Sequence, residues 1–300
     1  MMHRRLNERQ LVCFHETITA GSVRKAAERL NTEPSVVSRH LQQLQAHLGV
    51  VLLERRGRGV VPTAAAQLLL SFCQDRRTQE EELLSKLSGF GGALHGRIHI
   101  VSGEGFMDDL VRWVLGEFAT RHRQLEVTLE QLNAHEVMQA VATGAADCGV
   151  VYSITSDPAL EVVQARPLPV LAIMRADHPC AAAPEPLSLP ETTRYPLAMM
   201  TEGFGLSQIV RRAALADGLR LHPVLATNSV ASLRHFVASG LGITFMSGRS
   251  MGPGLVGRRT TNALLNAADV RVLARTDRAR TPAVTELLLF LQEKSAEWVV

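Results

Sequence analysis

Apolar positions along the first fifty residues recur at three- and four-residue spacing and are interrupted by polar caps. Asn7 precedes ERQLVCFHETITA, in which Leu11, Phe14 and Ile18 share one face before Gly21 stops the helix. Ser22 caps a shorter helix, VRKAAERL, with Val23, Ala26, Ala27 and Leu30 inward, where the alanines let a neighbouring helix come close. After the turn NTEP, Pro34 suits a first helical turn, because its missing N–H would be unsatisfied there anyway. The third helix, SVVSRHLQQLQAHLG, turns Val37, Leu41, Leu44 and Leu48 inward. It leaves Ser35, Val36, Ser38, Arg39, Gln42 and Gln43 outside or on the flanks. Next, VVLLERRGRGVVPT holds two apolar strand-like runs around a glycine-bent arginine loop. Thr63 then caps a long helix with Leu68, Leu69, Leu70 and Phe72 at one end and Leu83, Leu84 and Leu87 at the other. Its middle is nine consecutive polar residues, QDRRTQEEE, which no small core can bury. The helix is therefore expected to protrude as an arm that meets a second copy.

Beyond the glycine-rich run GFGGALHG, strands and helices alternate. RIHIVS, LEVTLEQL, DCGVVY, LPVLAIM, PLAMM, PVLATN and GITFM read as strands. FMDDLVRWVLGEFATRHR reads as a helix with Phe106, Leu110, Trp113, Val114 and Phe118 buried; HEVMQAVATG, SQIVRRAALADG, SVASLRHFVASG and PAVTELLLFLQEK are further helices. This alternation predicts α/β architecture with largely parallel sheets. A Pro-rich crossing near Arg166–Pro169 and a return near Asp269–Arg275 predict two α/β lobes sharing two crossover strands. The fold class is thus an N-terminal all-α winged helix-turn-helix, a long linker helix and a two-lobed α/β body. The boundaries expected are 1–62, 63–90 and 91–300, with lobe I about 97–167 and 271–300 and lobe II about 168–270.

Charge changes this picture. The 300 residues carry 32 Lys plus Arg against 29 Asp plus Glu, a net +3. That figure averages +5 over residues 1–62 and −2 over the remainder. A basic head on a slightly acidic body points to polyanion binding by the head. At 46% hydrophobic and 20% charged, the chain can bury a core and is not a disordered tail. Cys13, Cys73, Cys148 and Cys180 are far apart, so neither a disulfide framework nor a thiolate zinc site is expected. The start MMHRRLNERQ has no apolar segment to act as a signal peptide, and no apolar run reaches the roughly 20 residues of a membrane helix. The expected location is the cytoplasm.

A helix, a short alanine-rich helix, a tight turn and a third helix with a polar, basic start make a helix-turn-helix, whose second helix enters the major groove. Arg39 is the candidate for a guanine contact or a phosphate clamp, and Ser38 for a phosphate or base-edge hydrogen bond. Ser22, Arg24, Pro34, Ser35, Val36 and Gln42 complete the candidate DNA-facing set on the helices. Arg55, Arg56 and Arg58 read as a wing along the phosphate backbone. From LVCFHETITAGS to GVVPTAAA the chain resembles the N-terminal domain of LysR-type transcriptional regulators. The match is carried by Phe14, Gly21, Ser22, Ala26, Ala27, Leu30, Asn31, Val37, Ser38, Arg39, Leu44, Leu48, Gly49, Leu52, Glu54, Arg55 and Thr63. Gln45 stands where that family usually has Glu, Leu53 where it has Phe, and PTAAA where it has LTEAG. Glu33 and Pro34 replace its common Ser/Thr-Gln pair, which alters the base-reading surface and hence the operator. The resemblance implies a dimer made through the linker helix and an effector domain like a periplasmic binding protein.

In such a body, ligands bind at the carboxyl ends of strands, between the lobes. Ser102-Gly103-Glu104-Gly105-Phe106 and Thr201-Glu202-Gly203-Phe204-Gly205 each place a hydroxyl, glycines and an aromatic before a helix N-terminus, a setting that favours an anion. The candidate effector contacts are Ser102, Glu104, Phe106, Tyr152, Thr201, Phe204, Asn228, Ser229 and Met246. The same hydroxyls and Asn serve equally as helix caps, and the Phe and Met as core. Glu104 and Glu202 argue against a simple carboxylate and leave an amine-bearing or neutral polar effector open.

Gly252-Pro253-Gly254-Leu255-Val256-Gly257 is a literal GxGxxG, with Asp277 about 20 residues on. Five residues part it from the strand GITFM, Pro253 stiffens the turn, and RRTTNALLNA opens a helix poorly, so it reads as a surface loop. GxSxG, HExxH and P-loop motifs are absent, and the histidines show no ligand spacing. The expectation is a regulator, not an enzyme, without cofactor or metal. Its expected partners are double-stranded DNA at an operator, a polar small-molecule effector, further copies of itself as homodimer or homotetramer, and RNA polymerase, but no membrane. The alternatives are a repressor or architectural protein with no ligand response, and a small-molecule enzyme with an incidental helical N-terminus.

Overall fold

The first three helices begin and end where their own side chains dictate. In α1 (Glu8–Ala20) the Asn7 side chain accepts the Gln10 N–H, and Gly21 closes the helix at φ 65°, in the left-handed region that favours glycine. In α2 (Val23–Arg29) Ser22 accepts the Lys25 N–H, and the following turn holds Asn31 at φ 50°, a conformation Asn tolerates. Pro34 opens α3 (Pro34–Leu48) with no side-chain cap from Glu33. The computed structural model describes residues 5–56, 59–89, 94–152, 156–276 and 280–295, and the chain divides into two compact units, 1–83 and, beyond them, most of the rest.

In the N-terminal unit, Phe14, Ala26, Ala27, Val37 and Leu44 are fully buried, with Leu11, Leu41 and Leu52 beside them, while Ile18 and Leu48 pack at the edge. Strands β1 (Leu53–Arg56) and β2 (Gly59–Pro62) form the expected hairpin, antiparallel from Leu53 opposite Pro62 to Arg56 opposite Gly59. Two side chains set its base. The Gln45 carboxamide oxygen accepts the N–H groups of Leu52 and Leu53 at 2.7 and 3.3 Å. Thr63 donates to the Val51 carbonyl at 2.8 Å and accepts the Ala66 N–H. The long helix α4 (Ala64–Gly89) drives Ala66, Leu69 and Leu70 into this core. Its other large apolar residues with described side chains stay outside: exposure runs from 47% for Phe72 to 77% for Leu68, with Leu83, Leu84 and Leu87 between.

The second unit holds two five-stranded sheets, ordered β4-β3-β5-β12-β6 and β11-β7-β10-β8-β9. The first is built from β3 (Gly96–Ser102), β4 (Leu125–Gln131), β5 (Cys148–Tyr152), β6 (Leu160–Pro167) and β12 (Asp269–Arg275); the second from β7 (Val170–Arg175), β8 (Leu197–Met200), β9 (Leu225–Thr227), β10 (Ile243–Ser247) and β11 (Leu255–Arg258). Three strands of each sheet pair in parallel and two pair antiparallel. The sheets are therefore mixed where alternation alone predicted mostly parallel ones. The reason is local: β6 leads out of the first sheet and β12 leads back in, and neither belongs to a strand–helix–strand unit of that sheet. The two crossovers are tied together by the Leu168 N–H, which donates to the Ala268 carbonyl at 2.9 Å.

Helices cover both sheets. After β3 come α5 (Met107–Leu110), a π-helical turn at Val111–Leu115 and α6 (Gly116–Arg121). Phe106, Leu110, Val114 and Phe118 are buried as expected, but Trp113 is 38% exposed. The wide turn lets burial step by four from Leu110 to Val114 to Phe118, which moves Trp113 to the flank, where Arg112 lies 5.9 Å from its ring. The remaining helices are α7 (Ala134–Ala142), α8 (Leu189–Thr192), α9 (Gly205–Ala216), α10 (Val230–Ala238), α11 (Ala263–Asn266) and α12 (Pro282–Glu293), the last capped by Thr281. Among the described residues, no helix is long and apolar enough to cross a membrane.

One motif is corrected. The GxGxxG run is not simply a surface loop, because its second half is the edge strand β11, antiparallel to β7. A side chain at Gly257 would meet Leu171 Cδ1 at 2.8 Å and Met251 at 3.0 Å, so this glycine answers to packing. Asp277, its would-be ribose partner, and residues 90–93 of the glycine-rich hinge lie outside the described residues.

Candidate functional site

The start of α3 presents a polar surface whose hydrogen-bonding groups are left unengaged. Pro34, Ser35, Arg39 and Gln42 are exposed, and Val36 and Ser38 are partly so. Among the described residues, Ser35, Ser38, Arg39 and Gln42 have no side-chain partner, so their donors and acceptors face solvent. Two predicted members of this surface are otherwise occupied. Ser22 is a cap, and Arg24 pairs with Glu28 at 3.5 Å on the exposed face of α2, an i,i+4 contact that costs little to exchange for a phosphate. Arg55 and Arg56 end β1, whose base is joined to α3 through Gln45, and Arg58 lies outside the described residues. A helix offering hydroxyl, amide and guanidinium groups next to a hairpin is chemically equipped to read base edges and hold phosphates.

The body's candidates meet where the two lobes touch. A narrow cavity of about 30 Å³ is lined by Glu104, Phe106, Tyr152, Phe204 and Met246 from the predicted set. Ala134, Val151, Met200, Leu206, Val230, Ser247 and Ser250 line it too, and sequence reasoning missed them. Tyr152 packs against Phe106 with ring centroids 5.1 Å apart and planes tilted by 50°, and donates its hydroxyl to the Leu168 carbonyl at 3.0 Å, on the first crossover. Burial pushes its phenol well above the usual tyrosine range.

Four predicted residues do not face this cavity. Ser102 is fully buried behind it, its hydroxyl turned to the carbonyls of Gly103 and Val150. Ser229 caps α10 by accepting the Ser232 N–H, the alternative open to any serine before a helix. Asn228 is exposed and Thr201 partly so, and neither lines the cavity.

The lobes are held closed by several bonds. The Glu104 carboxylate reaches across from the first lobe, and its Oε1 accepts the Val230 N–H, at the start of α10, at 2.9 Å. A carboxylate of the chain thus occupies the helix terminus that an outside anion would use. The Ala134 N–H donates to the Gly203 carbonyl at 3.2 Å, and Arg249 pairs with Asp109 at 3.4 Å. Glycine is required at the tightest point: a Cβ on Gly205 would lie 2.0 Å from the Tyr152 carbonyl oxygen. Burial pushes the Glu104 carboxyl up, a shift opposed by the Val230 N–H and the nearby Arg234 and reinforced by Asp108. Burial also raises Asp109, against the pull of Arg249.

A second, larger cavity of about 250 Å³ adjoins the first and includes Asp108, Asp109, Gln131, Arg234 and Arg249 in its walls. Ser247-Gly248-Arg249-Ser250 follows strand β10 and repeats the hydroxyl-and-glycine signal used at the other two junctions, so it was legible in the sequence. Arg234 was not, since a basic residue on an amphipathic helix reads as solvated surface.

A family model described as a bacterial regulatory helix-turn-helix protein of the lysR family matches residues 8–67, and one described as a LysR substrate-binding domain matches residues 91–296. A hydrogen peroxide-inducible genes activator of Haemophilus influenzae is 25% identical, covering 74% of this chain and 74% of its own length. The transcriptional activator CmpR of Synechocystis is 24% identical over 79% of this chain and 78% of its own. A full-length OxyR variant from Pseudomonas aeruginosa superposes with a TM-score of 0.70 at 19% identity, covering 97% and 96% of the two chains. Full-length CbnR in complex with its target DNA has a TM-score of 0.53 at 18% identity, covering 97% of this chain and 100% of its own.

Proposed function

The chain belongs to the LysR family of bacterial helix-turn-helix regulators, and from that premise we propose which of its parts do what. Residues 1–62 hold operator DNA. Arg39, Ser35, Ser38 and Gln42 read base edges or phosphates, Pro34 and Val36 offer apolar contact to the groove, and Ser22, Arg24, Arg55, Arg56 and Arg58 hold the backbone. Residues 63–90 form the arm through which two copies join, with Leu68, Phe72, Leu83, Leu84 and Leu87 supplying its apolar surface. Residues 91–300 bind a polar effector between the lobes, through Glu104, Phe106, Tyr152, Phe204 and Met246, and change how the head is held. DNA as target places this work in the cytoplasm, and contact with RNA polymerase would follow from binding at promoters.

The observation that carries the reading is the row of unengaged donors on the exposed start of α3, a helix tied through Gln45 to a hairpin whose first strand ends in arginines. A gel shift on the DNA upstream of the protein's own coding region tests it. Arg39→Ala should weaken binding by roughly 5- to 150-fold, the loss of about 1–3 kcal/mol expected for a specific base contact. Equal binding by Arg39→Ala and the parent protein at low salt would remove Arg39 from the interface.

The closed cleft keeps a second reading in view, a repressor or architectural protein without a ligand response, because about 30 Å³ admits no metabolite until the lobes part. A thermal-shift screen separates the two, since a ligand that binds only the folded state raises the midpoint. Sensing of peroxide by a thiol, suggested by the names of several relatives, finds no support in this chain. Burial raises all four cysteine thiols, whereas a reactive cysteine needs an accessible thiolate.

A further inference from the structure

The 250 Å³ cavity beside the closed cleft carries charges of both signs that are only partly matched to one another. Its carboxylates are Glu104, Asp108 and Asp109, and its guanidiniums are Arg234 and Arg249. Asp109 and Arg249 pair at 3.4 Å and so form a neutral wall. Glu104 is held by the Val230 N–H. Two groups remain: Arg234, half-buried on α10 of the second lobe, and Asp108, exposed on α5 of the first. Neither has an ion-pair partner among the described residues, yet both lie close enough to Glu104 to move its proton affinity in opposite directions.

We propose that this cavity binds a small zwitterion, an amino-acid-like molecule whose carboxylate meets Arg234 and whose ammonium meets Asp108. The proposal rests on the reading of the body as an effector domain, names the class of effector and moves its charged ends into the adjoining cavity, with Glu104 common to both. A plain carboxylate would satisfy Arg234 but face Glu104 and Asp108, and a plain amine would satisfy Asp108 but lie against Arg234. A molecule with both charges answers both ends and leaves the charge of the cavity as it was. Guanidinium suits the carboxylate end because it donates two parallel hydrogen bonds. The Gln131 side chain adds a neutral donor or acceptor on the rim. The available space is several times that of one water and fits a molecule of amino-acid size. Because one end is held by each lobe, the zwitterion binds best to one lobe arrangement, which is what a regulator requires of its effector.

The test is calorimetric titration and thermal shift on the full-length protein. The zwitterions are L-glutamine, L-leucine, L-ornithine and 4-aminobutyrate; propionate and propylamine carry one charge each, and benzoate and ribose represent other classes. At least one zwitterion should bind and raise the melting midpoint, with propionate and propylamine at least tenfold weaker. Arg234→Gln and Asp108→Asn should each weaken that zwitterion tenfold or more, and Arg234→Lys should restore part of the loss. Either variant suffices if the other fails to fold, as judged by its melting midpoint without ligand. Equal binding of the zwitterion by both variants overturns the proposal, as does propionate or propylamine binding as tightly. If benzoate or ribose stabilises the protein and no zwitterion does, the effector domain stands and the zwitterion is wrong. If nothing in any class binds, both fail.

Discussion

The recognition helix and the interlobe cleft use similar polar residues to opposite ends. On α3, Ser35, Arg39 and Gln42 have no partner among the described residues and stand in water. In the cleft, Ser102 bonds backbone carbonyls, Ser229 caps α10, Tyr152 bonds the Leu168 carbonyl and Glu104 holds the Val230 N–H. The difference fits the partners proposed for the two surfaces. DNA is a large, always-charged surface that a rigid head can meet with side chains ready in solvent. A buried cleft incurs a desolvation penalty for polar groups left unmet, so most of these bond to the chain itself, and only the second carboxylate oxygen of Glu104 among these four residues is left without a partner.

The comparison can be broken most severely from within the head. Phe14→Ala empties the centre of that unit and should cost about 3–5 kcal/mol. Gel shift should then show DNA binding lost, while the unfolding transition of the body persists. Joint loss of both transitions would mean that the two units do not fold separately. Next in size, Gly205→Ala forces a methyl group against the Tyr152 carbonyl and should destabilise the body by about 1–3 kcal/mol in denaturant unfolding. The head should keep its affinity for DNA.

A matched pair of serines sharpens the contrast. Ser229→Ala removes a cap and should lower the stability of the body by about 1 kcal/mol, leaving the head unchanged. Ser35→Ala should stay within about 0.5 kcal/mol of parental stability but weaken DNA binding. The reverse pattern in chemical unfolding and gel shift would show that the two surfaces had been assigned the wrong way round.

The smallest effect is a pH dependence. The folded-state pKa of Glu104 is raised, so between its ordinary value and the raised one the folded chain binds a proton more tightly than the unfolded chain. Stability from this group is therefore greatest at low pH and is lost as pH rises through that window. Glu104→Gln removes the term, so its melting midpoint should gain on the parent as pH rises from about 4 towards neutrality. A gap that is flat or narrows with pH would show that burial does not govern this carboxyl.

Most of the head was legible because its signals are local. Asn7, Ser22, Pro34 and the left-handed Gly21 each mark a helix end through contacts within four residues. The body was legible as alternating elements but not in its details. Trp113 was misplaced because nothing in VRWVL announces a π turn. In the cleft, the large apolar residues Phe106, Tyr152, Phe204 and Met246 were found, since bulky side chains at strand ends have few other places to go. The hydroxyls were harder, because a serine before a helix is the same signal whether it caps or binds, and only the tertiary neighbours decide. Arg234, Asp108 and the approach of Gly205 to Tyr152 depend on how two lobes meet, which no spacing along the chain encodes.

The Gln45 carboxamide, which accepts two N–H groups at the root of the hairpin, has a consequence for the DNA itself. It ties the recognition helix to the root of the hairpin, so the head resembles a caliper whose two jaws share one pivot. If α3 reads bases and the hairpin holds phosphates, as proposed, the stretch between those contacts has a fixed length. Operators should tolerate changes of base along that stretch far better than the insertion or removal of a single base pair.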